Sequence, residues 1–95
     1  MALLDDSEIE ARLSQLPGWE RSGKAIAKGF GCGDFVGSVR FVESLVEPAE
    51  AIGHHPDLAI SWDTVTVTIS THSEGGLTAA DFELAEKVDA LSPAS

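Results

Sequence analysis

Leu58-Ala59-Ile60-Ser61-Trp62-Asp63-Thr64-Val65-Thr66-Val67-Thr68-Ile69-Ser70 is the stretch on which the fold turns. Apolar residues alternate with small or hydroxylated ones on both sides of Asp63: Leu58, Ile60 and Trp62 before it, Val65, Val67 and Ile69 after it. Successive side chains of an extended chain project to opposite faces, so period two marks a strand with one buried face. The spacing predicts two strands joined by a turn at Asp63. Core or subunit-interface packing is the usual fate of tryptophan, with a wall for a flat ligand as the other reading; Trp62 shares the parity of Leu58 and Ile60, so core is its default. Thr64, Thr66, Thr68 and Ser70 form the hydroxyl-bearing face, and His72 has their parity unless the chain turns at Thr71.

Working outward, Gly75-Gly76 leads to Thr78, which stands three residues before Asp81 in a capping-box relation; Phe82, Ala85 and Val88 or Leu91 supply the stripe of a last helix. The tail Ser92-Pro93-Ala94-Ser95 is expected to fray. Upstream, Phe35, Val39, Val42, Leu45, Val46, Ala49 and Ile52 recur at intervals of three and four behind a capping Asp34. Pro48 interrupts this helix, predicting a kink over 44–47 or a fresh turn starting at Pro48. Gly31-Cys32-Gly33 separates it from a hairpin: Trp19-Glu20-Arg21 and 25–30 flank the turn Ser22-Gly23-Lys24. At the N-terminus, Ser7-Glu8-Ile9-Glu10 has the form of a capping box, and Ile9, Leu13 and Leu16 predict a helix over 8–15 stopped by Pro17-Gly18. The order helix, two strands, helix, two strands, helix implies an α+β single domain: a four-stranded antiparallel sheet with three helices packed on one face.

Composition excludes several classes. The chain has 95 residues, with Lys plus Arg 6 against Asp plus Glu 16 and a net charge of −10. So acidic a chain lacks the basic stripe that neutralises phosphates, so no direct nucleic-acid partner is expected. Cys32 is the single cysteine, which leaves no intrachain disulfide framework and suits a reducing compartment. Without a basic n-region or an apolar run of about 18 residues, no membrane partner is expected and the chain reads as cytoplasmic. A domain this short gains core by association, so a homodimer or homotetramer is expected.

The candidate chemistry sits just before the decisive hairpin and just after it. His54 and His55 are adjacent, and with His72 they are all the histidines of the chain. Imidazole donates and accepts protons near neutral pH, so three in one stretch point to acid and base chemistry. Three separate solvated rings are the plain alternative. Pro56 biases His55 to extended backbone, and consecutive extended residues point opposite ways, so the rings meet only if the loop turns. Glu50 lies one helical turn before His54 and is placed to hold an imidazole. A metal set of three imidazoles with Glu50 or Asp57 is conceivable, but no local ligand spacing of the recognised kinds appears, so no metal is expected.

The run Glu50-Ala51-Ile52-Gly53-His54-His55-Pro56-Asp57, followed by Val65-Thr66-Val67, Ser70-Thr71-His72, Gly76-Leu77-Thr78 and Asp81, resembles the signature of the pterin-4a-carbinolamine dehydratases. Pro17-Gly18-Trp19, Phe30 and Asp34-Phe35 extend the resemblance over essentially the whole chain. It implies removal of water from a 4a-hydroxytetrahydropterin to give quinonoid dihydropterin, regenerating a cofactor spent by aromatic amino acid hydroxylases, with no cofactor of its own. It also implies that His54, His55 and His72 form the catalytic and pterin-binding set, that Glu50 tunes them, that Trp19 lies at the pocket edge, and that Pro56, Asp57 and Thr71 contact substrate. Ala51, Leu58 and Ala80 depart from the lysine, tryptophan and arginine frequent in that family. Because the family also contains members that act as assembly factors or coactivators, a non-catalytic interaction module of the same fold is the alternative.

Overall fold

The structure is a computed structural model that describes residues 2–93. The decisive stretch forms the expected hairpin, with β3 (Asp57–Ser61) antiparallel to β4 (Thr64–Ile69). Leu58 stands opposite Val67 and Ile60 opposite Val65, so the alternation read in the sequence becomes one apolar face. β1 (Glu20–Ser22) and β2 (Ala25–Gly31) form the second hairpin, and β2 pairs with β4, giving the antiparallel order β1-β2-β4-β3. The fold class is as expected: a four-stranded antiparallel sheet with its helices on one side. Ile26, Phe30, Val65, Val67 and Ile69 are buried beneath Ile9, Phe41, Leu45, Phe82 and Leu84.

Trp62 corrects the sequence expectation. It is 69% exposed and has a left-handed φ of 51°. Ser61 pairs directly with Thr64, which leaves Trp62 and Asp63 as a two-residue turn. Such a turn requires positive φ and ends the alternation, so Trp62 projects outward at the end of β3; Leu58 and Ile60, on the outer strand, are also exposed rather than in the core. The backbone is held there by Ser38 Oγ, which donates to the Trp62 carbonyl at 2.7 Å, and by Cys32 N, which donates to the Asp63 carbonyl at 2.7 Å.

The central helix is broken, as Pro48 demands. Helix α2 (Phe35–Ser44), capped by Asp34 Oδ1 accepting from Gly37 N at 2.7 Å, ends before Leu45, and α3 (Val46–Ile52) starts afresh. The restart falls at Val46 rather than at Pro48, which places the proline in the first turn, where its missing N–H has no helical acceptor to lose. The apolar stripe is also less regular than expected: Phe35 and Val46 are exposed, while Phe41 and Ser38 are buried.

Helix α1 (Asp6–Leu13) begins two residues earlier than expected, because its capping box is Asp5 with Glu8 rather than Ser7 with Glu10. Asp5 Oδ1 accepts from Glu8 N at 2.8 Å, and Leu4 N donates to the Leu77 carbonyl at 2.9 Å, which ties down the chain just before the cap. Helix α4 (Ala79–Ala90) has the expected box of Thr78 and Asp81. Of the tail expected to fray, Ala94 and Ser95 lie outside the described residues. Among the described residues no helix is long and apolar enough to cross a membrane.

Candidate active site

Gly53 decides where the histidines go. It ends α3 in the left-handed conformation, φ 64°, donating to the Glu50 carbonyl, while His54 N donates back to the Ala49 carbonyl. This pair of bonds is the Schellman arrangement, and it turns the chain sharply at a position that suits glycine. Extended residues then alternate: His54 faces the interior and His55 the helix it has just left.

His54 Nε2 lies 2.6 Å from Asp81 Oδ1, with the His54 side chain 15% exposed and that of Asp81 0%. The same carboxylate accepts at Oδ2 from Thr71 Oγ1 at 2.8 Å and from Thr78 N at 2.8 Å. Thr71 Oγ1 and Thr78 Oγ1 stand 2.9 Å apart and complete the network. A carboxylate only accepts, so the contact sets the tautomer: His54 donates from Nε2 and keeps Nδ1 as its basic nitrogen. Asp81 thus has two jobs, capping α4 and orienting His54. Sequence reasoning saw the first and missed the second; its one signal was the G-L-T-x-x-D spacing of residues 76–81.

His55 makes the matching contact on the solvent side. Its Nε2 lies 2.5 Å from Glu50 Oε2, and the two side chains are 62% and 68% exposed. Two carboxylate-imidazole pairs therefore stand on consecutive residues in very different surroundings. Water competes for the exposed pair and screens it, whereas the buried pair keeps its geometry.

His72 opens a 3₁₀ turn, His72–Glu74, that begins where Thr71 bridges to Gly76. The chain leaves regular strand geometry after Ile69, so the turn at Thr71 is the alternative that holds for His72. Its ring is exposed, 3.4 Å from Ser70 Oγ, with Asp57 Oδ2 at 3.9 Å, beyond hydrogen-bonding distance. His54, His55 and His72 line one open cavity of about 240 Å³, with Gly53, Ser70, Thr71 and Ser73 completing its wall. All three histidines thus border the same open space, and Glu50 bonds His55. Among the described residues, no group of three His, Cys, Asp or Glu side chains is arranged to hold a metal ion.

The remaining expected site residues divide. Thr71 lines the histidine cavity and bonds Asp81. Pro56 lies with His55 on a neighbouring apolar groove beside Leu45 and Leu58. Asp57 begins β3 and lines a polar cavity shared with His72. Trp19, expected at the pocket edge, lies in the core instead: it is 4% exposed, packs edge-on against Phe30 at 6.0 Å, and donates from Nε1 to Asp89 at 3.1 Å. Burial of the flat ring with a partner for its N–H explains the position.

Comparison with known proteins shows the family. Residues 2–91 match the family described as Pterin 4 alpha carbinolamine dehydratase. A protein of Thermosynechococcus vestitus, named provisionally as a pterin-4-alpha-carbinolamine dehydratase, is 49% identical over 88 residues, covering 93% of this chain and 93% of its own length. One of a Cyanothece species, under the same provisional name, is 50% identical over 90 residues, covering 95% of this chain and 93% of its own length. Among solved structures, a transcriptional coactivator/pterin dehydratase of Brucella melitensis superposes with a TM-score of 0.91 at 33% identity, over 97% of this chain and 100% of that one. A pterin dehydratase-like protein identified as a RuBisCO assembly factor in the alpha-carboxysome superposes with a TM-score of 0.61 at 25% identity, over 81% of this chain and 89% of that one. With the match running through both hairpins, the histidine loop and the last helix, this chain belongs to the pterin 4 alpha carbinolamine dehydratase family.

Proposed function

We propose that this chain dehydrates a 4a-hydroxytetrahydropterin to quinonoid dihydropterin by transfer of protons between imidazoles and substrate. The C4a–O bond breaks as the oxygen gains a proton and leaves as water; N5 loses its proton and its electron pair forms the new N5=C4a bond. No electrons are gained or lost. The reaction needs an acid at the hydroxyl and a base at N5, and positioned imidazoles supply both. The observation that carries this reading is the buried His54–Asp81 contact at 2.6 Å on the wall of the cavity shared with His55 and His72. Asp81 positions His54, and Glu50 orients His55. Thr71, Pro56 and Asp57 bound the space around them.

The reading includes a cytoplasmic setting, a homodimer or homotetramer, and service to a pterin-dependent hydroxylase. The purified chain should accelerate quinonoid dihydropterin formation above the spontaneous rate, and a rate no faster than buffer would sink the proposal. A second reading, a non-catalytic assembly module, is favoured by the likeness to the RuBisCO assembly factor. Its outcome would be partner binding that survives loss of all three histidines.

A further inference from the structure

Two cavities meet at His72. One is the histidine cavity; the other, about 450 Å³, lies beyond it and shares Ser70, Thr71 and His72. Its own part of the lining is Lys24, Ala25, Asp57, Thr68, Gly75 and Gly76. The register explains the meeting. Asp57 pairs with Thr68, and Thr68 with Ala27, so all three lie on the sheet face away from the core, while the β1–β2 turn brings Lys24 beside the end of β4. Lys24 is exposed, and among the described residues no hydrogen bond or ion pair engages its ammonium.

The chemistry of this lining narrows what it can hold. Asp57 opposes an anion and Lys24 opposes a cation. Ala25 is the one purely aliphatic side chain on the wall, and every other side chain there carries a polar atom that a wholly apolar substituent would leave without a ligand partner. An ammonium that donates, a carboxylate that accepts, and the hydroxyls of Thr68 and Ser70 that do both match a neutral chain of hydroxyl groups. A pterin ring seated against the three histidines has a route for its substituent past His72 into this space. We propose that Lys24 and Thr68 form a subsite for a neutral polyhydroxylated substituent of the substrate ring, and so set preference among pterins. This inference rests on the dehydratase reading and extends it to substrate choice.

The test compares two 4a-hydroxytetrahydropterins, one carrying a 6-trihydroxypropyl chain and one a 6-methyl group, in the unaltered protein and in Lys24→Ala and Thr68→Val. One or two hydrogen bonds to the chain should favour the hydroxylated substrate in kcat/KM by about tenfold. Each variant should reduce that ratio to within about threefold while leaving turnover of the 6-methyl substrate unchanged. The corresponding oxidised pterins, which are not turned over, should show the same order of binding by fluorescence titration. Equal use of the two substrates by the unaltered protein, or a preference that neither variant moves, would overturn the subsite while leaving the dehydratase reading intact. No acceleration with either substrate would overturn both.

Discussion

His54 and Asp81, 27 residues apart in the chain, meet at 2.6 Å through a carboxylate that is fully buried. That carboxylate also accepts from Thr71 and Thr78, so it is held from three directions and holds the ring in turn. An imidazole fixed by so constrained a partner keeps one tautomer, which is what repeated proton transfer at a defined atom requires.

Asp81→Asn should therefore lower kcat/KM by about 10² or more, since an amide presents a donor where three donors converge and spoils the tautomer of His54. Stability should fall as well, by about 1–3 kcal/mol, because a buried cap contact and a buried hydroxyl contact are disturbed together. Steady-state kinetics and urea unfolding check the two effects separately. An unchanged rate in folded protein would remove Asp81 from the mechanism.

Glu50→Gln offers the contrast. Its contact with His55 is largely in water, so unfolding free energy should change by less than about 0.5 kcal/mol. Activity should nevertheless fall, by roughly tenfold, if Glu50 orients a ring that touches substrate. A variant that loses stability but keeps its rate would reverse the assignment.

His54→Ala and His72→Ala should each reduce kcat/KM by roughly 10² to 10⁴, the range for a positioned acid or base, with circular dichroism unchanged. Exhaustive EDTA treatment should have no effect on the unaltered protein. Loss of activity on chelation with recovery on added zinc or iron would point instead to an ion polarising the departing oxygen.

Gly37→Ala should destabilise by about 1–3 kcal/mol, the range for forcing extra volume into a packed site. A methyl group at Gly37 would come 2.2 Å from the Cys32 carbonyl oxygen, a backbone atom that cannot swing aside. Cys32 N is bonded to the Asp63 carbonyl, so displacement there would strain the β3–β4 turn too. A melting temperature equal to that of the unaltered protein would show that the helix start yields freely.

The sheet edge predicts association. Strand β3 is an outer strand with Leu58 and Ile60 38% and 41% exposed, and Trp62 projects at its end. Unpaired apolar edges join other edges unless blunted by charge. Light scattering should report a dimer or tetramer at tens of micromolar, and Ile60→Lys should shift it toward monomer. A monomeric unaltered protein would count against pairing at this edge.

Much of this was legible because it is local. Alternation about Asp63 set two strands, Asp34 and Thr78 set two helix starts, and Pro48 broke the central helix, each through interactions within a few residues of chain. The histidines could be named as candidates from side-chain chemistry, but their joint role was implied only by the family resemblance carried by residues 50–57 and 70–81. Local rules misplace what depends on the turn or on a choice between equivalent caps: Trp62 falls into a two-residue turn that exposes it, and α1 starts from Asp5 because Leu4 is tied to Leu77. Trp19 likewise found a partner, Asp89, 70 residues away, which drew it into the core rather than to the site. Sequence spacing made Asp81 a helix cap. Only the packing of α4 against the loop after α3 could make the same carboxylate the partner of His54, because no rule of local spacing sets the distance between side chains on separate elements.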